Sequence, residues 1–260
     1  MKAIPEPIRF LSKNYLNEFC ELNYTSDEDL NFLPLCDFNP YKENPVISND
    51  TELEFRIYFK DDYSEYTTRK VDTVILQNMN LKTFQVKGVV AGTGFKFLLA
   101  NVLNNTKSDL VLNLDREWDL AAIEISISEV FASDYTAKLG QLRVCKFLCD
   151  LNATTETEVE PAVSEDSLRT YDGRLTHWVN YEKWGARISA RSIKKEQFNL
   201  IKNELRNEGY VTIIPWISWD IRDIFQVRIP MKSMGTYALN RWSGLISTSL
   251  TVEAQENANN

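Results

Sequence analysis

Glu52-Leu53-Glu54-Phe55-Arg56-Ile57-Tyr58-Phe59 carries an apolar residue at every odd position and a charged or amphipathic one at every even position. Successive side chains of a strand point to opposite faces, so strict period-two alternation predicts a half-buried β-strand. Asp61-Asp62-Tyr63-Ser64 supplies the turn that ends it. The same grammar continues towards the C-terminus. Val71–Leu76 and Leu81–Lys87 are apolar runs parted by Gln77-Asn78-Met79-Asn80, and Gly88, Gly92 and Gly94 mark the next loop. Phe95–Ala100 and Leu110–Leu114 follow. Beyond Trp118, Ile123, Ile125 and Ile127 alternate with Glu124, Ser126 and Ser128, and Leu139–Leu148 closes the series. A succession of short strands with turn residues between them predicts a β-sandwich over residues 46–150.

Outward from that block the grammar changes. Residues 1–45 hold Pro5, Pro7, Pro34, Pro40 and Pro45 beside Ile8, Phe10, Leu11, Tyr15, Leu16 and Phe19. They read as an extended N-terminal arm, too apolar for a solvated tail. Residues 151–168, with Thr154-Thr155-Glu156-Thr157-Glu158-Val159-Glu160-Pro161, read as an acidic linker or exposed loop. Residues 169–254 alternate between strand and helix patterns. Thr176–Ser192 reads as a strand, and Ser192 as the cap of a helix over Ile193–Glu208. Phe198, Ile201 and Leu205 form its apolar stripe and Gly209 its left-handed stop. Tyr210–Ser218, Ile224–Ile229 and Gly244–Ala254 read as further strands, and residues 255–260 as a frayed tail. The expected fold is mainly β: a jelly-roll sandwich followed by a smaller α+β domain, one helix on an antiparallel sheet.

Composition narrows the function. The 260 residues carry a net charge of −8 and 12% aromatics. Proteins that grip phosphates concentrate Lys and Arg, so specific nucleic-acid binding is not expected, nor adhesion to anionic membranes. No run approaches the roughly 20 apolar residues that span a bilayer. The first residues lack the apolar core of a secretory signal, which predicts synthesis and folding in the cytoplasm and free thiols at Cys20, Cys36, Cys145 and Cys149.

Nothing assembles into a catalytic constellation. The single histidine, His177, stands beside Trp178 in a strand-like run. Gly92-Thr93-Gly94 lacks the later glycine or Lys-Ser/Thr of a phosphate loop and reads as a hairpin turn. The densest carboxylates are Asp61-Asp62, Asp115/Glu117/Asp119 and Asp220/Asp223. The middle group alternates as oxygens around calcium do, but a solvated strand edge accounts for it better. Trp178, Trp184, Trp216, Trp219 and Trp242 gather in the second half, where core and subunit interface are the common homes of tryptophan. No catalytic, cofactor-binding or metal residue is assigned, and no enzyme is expected.

Two segments carry a family resemblance. Val71-Asp72-Thr73-Val74-Ile75-Leu76-Gln77-Asn78-Met79-Asn80-Leu81-Lys82-Thr83-Phe84-Gln85-Val86, with the closing strands Ala121–Ile127 and Leu139–Val144, resembles the discoidin-like (galactose-binding-like) jelly rolls of bacteriophage virion proteins. The order of strand, Ser192-Ile193-Lys194-Lys195-Glu196-Gln197-Phe198 helix, Gly209-Tyr210-Val211 and paired strands is similar to the tube-like domain of phage distal tail proteins. The resemblance implies a structural component of a phage or phage-like tail, of distal-tail, neck or baseplate type. Such a chain joins copies of itself into a ring and meets other virion tail proteins, which covers sheet edges that otherwise aggregate. The resemblance implies a location in the virion tail, and the net charge of −8 would suit a channel through which DNA slides without sticking. The alternative is a carbohydrate-binding module for host attachment, with a host glycan as partner. Its candidate loops are Asn39–Asn44, Asn78–Asn80 and Asn101–Ser108.

Overall fold

The computed structural model describes residues 7–24, 35, 46–48, 53–131, 136–154, 157–159, 162–169, 175–215, 224–230, 232, 234, 237–240 and 243–257. The chain forms two compact units, Met1–Leu11 with Leu148–Asn260, and Ser12–Phe147. Strand β1 (Pro7–Leu11) belongs to the first of these.

The unit Ser12–Phe147 is a β-sandwich. Its strands are β2 (Glu21–Tyr24), β3 (Val46–Ser48), β4 (Leu53–Tyr58), β5 (Arg69–Met79), β6 (Leu81–Val89), β7 (Lys96–Val102), β8 (Leu110–Leu120), β9 (Ala122–Val130) and β10 (Ala137–Cys145). One antiparallel sheet has the order β2-β4-β9-β6-β7 and the other β3-β10-β5-β8, so the chain crosses repeatedly between sheets in jelly-roll manner. Leu53, Phe55 and Ile57 are buried, as their alternation requires, and meet Ile123, Ile125 and Ile127 of β9 across the sheet. Val74, Leu76, Leu142 and Val144 close the core from the other sheet. The opposite face of β5 and β10 is buried too, and it sets polar groups beside Ile75 and Cys145: Arg143 donates to Gln77 Oε1 at 3.3 Å and to Gln141 Oε1 at 2.9 Å. Asn78, at φ 52, turns the chain from one sheet into the other.

The other unit is α+β. It contains β11 (Phe147–Asn152), β12 (Glu158–Val159), β13 (Ala162–Arg169), β14 (Leu175–Ile193), α1 (Lys195–Glu208), β15 (Val211–Ile214), β16 (Phe225–Arg228), β17 (Tyr237–Leu239) and β18 (Ile246–Asn257). The sheet runs β11-β1-β15-β16-β18-β14-β12, with β13 also on β14 and β17 on β18. Phe198, Ile201 and Leu205 of α1 are buried with Ile8, Phe10, Ile188, Val211, Val227 and Val252. The helix starts later than expected. Ser192 has φ 60 at the end of β14, and the first-turn contact is Lys194 N–H donating to Gln197 Oε1 at 3.2 Å. Gly209 ends the helix at φ 80, its N–H on Leu205 O at 3.1 Å. No helix among the described residues is long and apolar enough to cross a membrane.

The fold class is mainly β, as expected, but the chain divides differently from the expected segments. The N-terminal arm is not one piece. Arg9, Phe10 and Leu11 pair with Ile214, Ile213 and Thr212, whereas Ser12–Tyr24 lies in the sandwich unit. The acidic stretch is not a linker throughout. The unit boundary falls after Phe147, and β12 and β13 both pair with β14, which satisfies their backbone groups despite the solvated acidic composition. The expected frayed tail is strand as far as Asn257, which faces Lys183.

Candidate functional site

Strand pairing gathers one end of the sandwich. Glu21 faces Tyr58, Tyr58 faces Ala122, Ala122 faces Val89, and Val89 faces Lys96, so these residues form one row across the five-stranded sheet. Segments 59–68 and 90–95 and residue Ala121 leave from this row. They frame an open cleft of about 470 Å³ whose lining includes Glu21, Asn23, Tyr58, Tyr66, Thr68 and Gly92.

Segment 59–68 is a small, well-tied hairpin. Lys60 pairs with Tyr66, and Thr67 N–H donates to Phe59 O at 3.1 Å. The Asp61 carboxylate accepts the N–H groups of Tyr63 and Glu65 at 2.9 and 3.0 Å, and Ser64 takes φ 64 at the tip. Asn17 Nδ2 donates to Lys60 O at 3.1 Å. A loop held this way presents its side chains without further ordering.

Those side chains are aromatic. Tyr63 is 87% exposed, Tyr66 64% and Phe95 65%. Tyr58 stands edge-on to Tyr66, with ring centres 6.1 Å apart at 82°. The Tyr66 hydroxyl donates to Glu21 Oε2, and Lys60 Nζ lies 2.9 Å from the same oxygen and 4.6 Å from the Tyr66 ring centre. The hydrogen bond from Tyr66, then that from Lys60, holds the Glu21 carboxyl below its ordinary range. The same contact with Glu21 raises both Tyr66 and Lys60. Carboxylate, phenol and ammonium therefore keep these states at neutral pH.

The Asn-rich loops occupy the other end and are used internally. Asn80 Nδ2 donates to Thr136 O at 2.7 Å, and Asn80 Oδ1 accepts Lys138 N–H at 2.7 Å. Asn105 Nδ2 donates to Leu81 O at 2.8 Å and Lys107 O at 2.7 Å, and its Oδ1 accepts Lys107 N–H at 3.0 Å. These amides close turns. Asn39–Asn44 lies outside the described residues.

Among the described residues, the other singled-out side chains form no cluster of metal-ligating groups. Asp115 accepts the Trp118 indole N–H at 3.0 Å, and Glu117 is held by Lys70 and Lys146. Gly92 and Gly94 have φ 74 and 63 in the β6–β7 turn, where Val90 N–H donates to Phe95 O. His177 sits on β14 opposite Ser167. Its side chain, the side chains of the five tryptophans of the second half, and Asp220 and Asp223 lie outside what is described. Cys20, Cys145 and Cys149 are free thiols, and burial followed by the Asp150 charge pushes Cys149 up to about 12. Cys36 lies outside the described residues.

No family model matches this chain, and no curated protein matches its sequence. Among solved structures, the family 32 carbohydrate-binding module of EndoD from Streptococcus pneumoniae is similar over 50% of this chain and 97% of that one, at 11% identity and a TM-score of 0.43. The family 32 module of NanJ from C. perfringens, in complex with galactose, covers 52% of this chain and 99% of its own, at 14% identity and a TM-score of 0.42. Chitosan-binding module 1 of a chitosanase/glucanase from Paenibacillus sp. IK-5 covers 51% and 97%, at 8% identity and a TM-score of 0.40. The galactose belongs to the NanJ structure.

Proposed function

We propose that the sandwich unit is a non-catalytic carbohydrate-binding module, serving attachment to a glycan-bearing surface. One observation carries this: the cleft combines the exposed aromatic ring of Tyr66 with polar groups not consumed by the fold. A sugar offers apolar C–H faces, which pack on aromatic rings, and hydroxyls, which need both donors and acceptors. The Asn-rich end has its Asn80 and Asn105 amides bound to backbone. The site therefore shifts from the loops expected in the sequence to the tyrosine hairpin.

A glycan array probed with the full chain and with Tyr66→Ala tests the proposal. Binding to a defined set of glycans that falls at least about tenfold in the variant, a loss of about 1.4 kcal/mol, supports it. No binding to any arrayed glycan, or equal binding by the variant, removes it. The tail-subunit reading, with its ring of copies, tail partners and virion location, rests on the sequence resemblance alone. Antibody labelling of intact particles viewed by electron microscopy tests that reading separately.

A further inference from the structure

We infer that the Glu21–Lys60 pair makes this cleft selective for uncharged saccharides that present vicinal hydroxyls, and excludes anionic glycans. This rests on the sugar-binding reading and adds the ligand class.

The cleft holds polar groups that the fold leaves unspent. Glu21 Oε2 takes both the Tyr66 hydroxyl and Lys60, while Oε1 accepts no hydrogen bond among the described residues. Lys60 spends its ammonium on Glu21 and on the Tyr66 ring, and so serves to fix the carboxylate. An open acceptor, Glu21 Oε1, thus stands in the cleft, its carboxylate fixed by a 2.9 Å contact to Lys60. The Asn23 amide, two residues along β2 and also lining the cleft, supplies the donor, so that of two neighbouring sugar hydroxyls one donates to Glu21 Oε1 and the next accepts from Asn23 Nδ2. The Asn23 amide and the Thr68 hydroxyl, both without a side-chain hydrogen bond among the described residues, extend the same mixed pattern along the cleft.

Charge supplies the exclusion. Lys60 is already neutralised by Glu21, so the pair presents no net charge. A carboxylate or sulfate on the ligand gains little from Lys60 and meets the Glu21 carboxylate within a few ångströms. The net charge of −8 on the chain opposes its approach as well. Recognition of this kind depends on hydroxyl geometry rather than on ionic strength.

The experiment uses the full chain on an array holding neutral hexose- and N-acetylhexosamine-terminated glycans beside sialylated, sulfated and uronate glycans. Titration calorimetry follows with the best neutral hit, its anionic counterpart, and the variants Glu21→Gln and Asn23→Ala. The expected result is neutral binding at least about tenfold tighter than anionic, insensitive to NaCl between about 50 and 500 mM. Glu21→Gln, and independently Asn23→Ala, weakens neutral binding at least about fivefold. Anionic glycans that bind as tightly as neutral ones, or a folded Glu21→Gln that binds neutral sugars unchanged, overturn the inference and leave the sugar-binding reading standing. If Glu21→Gln does not fold, Asn23→Ala and the neutral-to-anionic ratio decide. No binding to any glycan removes both.

Discussion

Glu124 lets the balance between burial and charge be tested inside the sandwich. Its side chain is 0% exposed on the outer face of β9, yet it is held ionised. Arg56 Nε approaches it at 2.8 Å, Lys96 Nζ at 2.8 Å and Lys87 Nζ at 3.4 Å. Burial alone raises the carboxyl. Hydrogen bonds from Lys96 and Arg56, together with their charges, more than offset this, and the group titrates below its ordinary value. Glu124→Ala leaves Arg56 beside Lys87 and Lys96, whose carboxylate contacts are then the longer ones to Glu54 at 3.6 and 3.5 Å. Breaking a fully buried pair costs about 3–5 kcal/mol and an exposed one about 0–1. The cations here keep 23%, 24% and 40% of their side-chain exposure and rehydrate in part, so the expected cost lies between those limits. A loss of about 2–3 kcal/mol corresponds to hydrogen exchange about 30- to 160-fold faster in the most protected amides of β4 and β9. Mass spectrometry on peptides covering Leu53–Tyr58 and Ala122–Val130 reads this for the sandwich unit alone. Glu129→Ala, which removes the exposed contacts to Lys82 and Thr83, is the control and leaves exchange unchanged. The pH dependence has a definite sign. A carboxyl whose folded value is depressed stabilises the fold above its unfolded value, about 4.3, and that contribution is lost as pH falls through the lower folded value. The wild-type protein therefore loses protection over that acid window more steeply than Glu124→Ala. Equal exchange in the Glu124 and Glu129 variants would refute the reasoning.

Three further outcomes are expected. Asn14→Ala removes an amide whose Oδ1 accepts Leu16 N–H at 3.2 Å and Val144 N–H at 2.9 Å, and whose Nδ2 donates to Leu142 O at 3.3 Å. Two buried donors lose their acceptor, so urea denaturation shows a loss of about 2–4 kcal/mol. Gly209→Ala places a Cβ at φ 80 without meeting any neighbour, so the cost is conformational, about 1 kcal/mol, seen as a lower melting temperature. In the native chain at pH 8, iodoacetamide alkylates half-buried Cys20 while Cys149, buried and raised to about 12, stays unmodified until the protein is unfolded.

Regular strands were legible because their period is a property of the backbone. Leu53, Phe55 and Ile57 alternate and are all buried, and the three-and-four spacing of Phe198, Ile201 and Leu205 gives the face that α1 buries. Pro7–Leu11 was not legible as a strand. Five residues beside prolines look irregular, and the partner that satisfies them, Val211–Ile214, is remote in the chain. The acidic stretch misled for a related reason: β12 and β13 are read from composition as solvated, but their pairing with β14 is a tertiary fact. The cleft is not legible in the Asn-rich loops, whose Asn80 and Asn105 amides bind backbone. Its local signal is Tyr66, a large ring of the cleft lining within a turn segment where polar residues are the rule; Tyr63 and Phe95 stand exposed in the same two turns. That these turns share one end follows from the row Glu21, Tyr58, Ala122, Val89 and Lys96, which no local pattern reveals.

The pairing of Arg9 with Ile214 has a consequence for biogenesis. A ribosome delivers β1 first, but the edge it docks on emerges only after the whole of Ser12–Phe147 has been made. The sandwich is thus a guest domain within a host, complete and free to fold while the host still waits for its other half. Its two ends are tied side by side, Ser12 N–H on Lys146 O at 2.7 Å, the geometry that lets a domain be excised or transplanted without tearing its recipient.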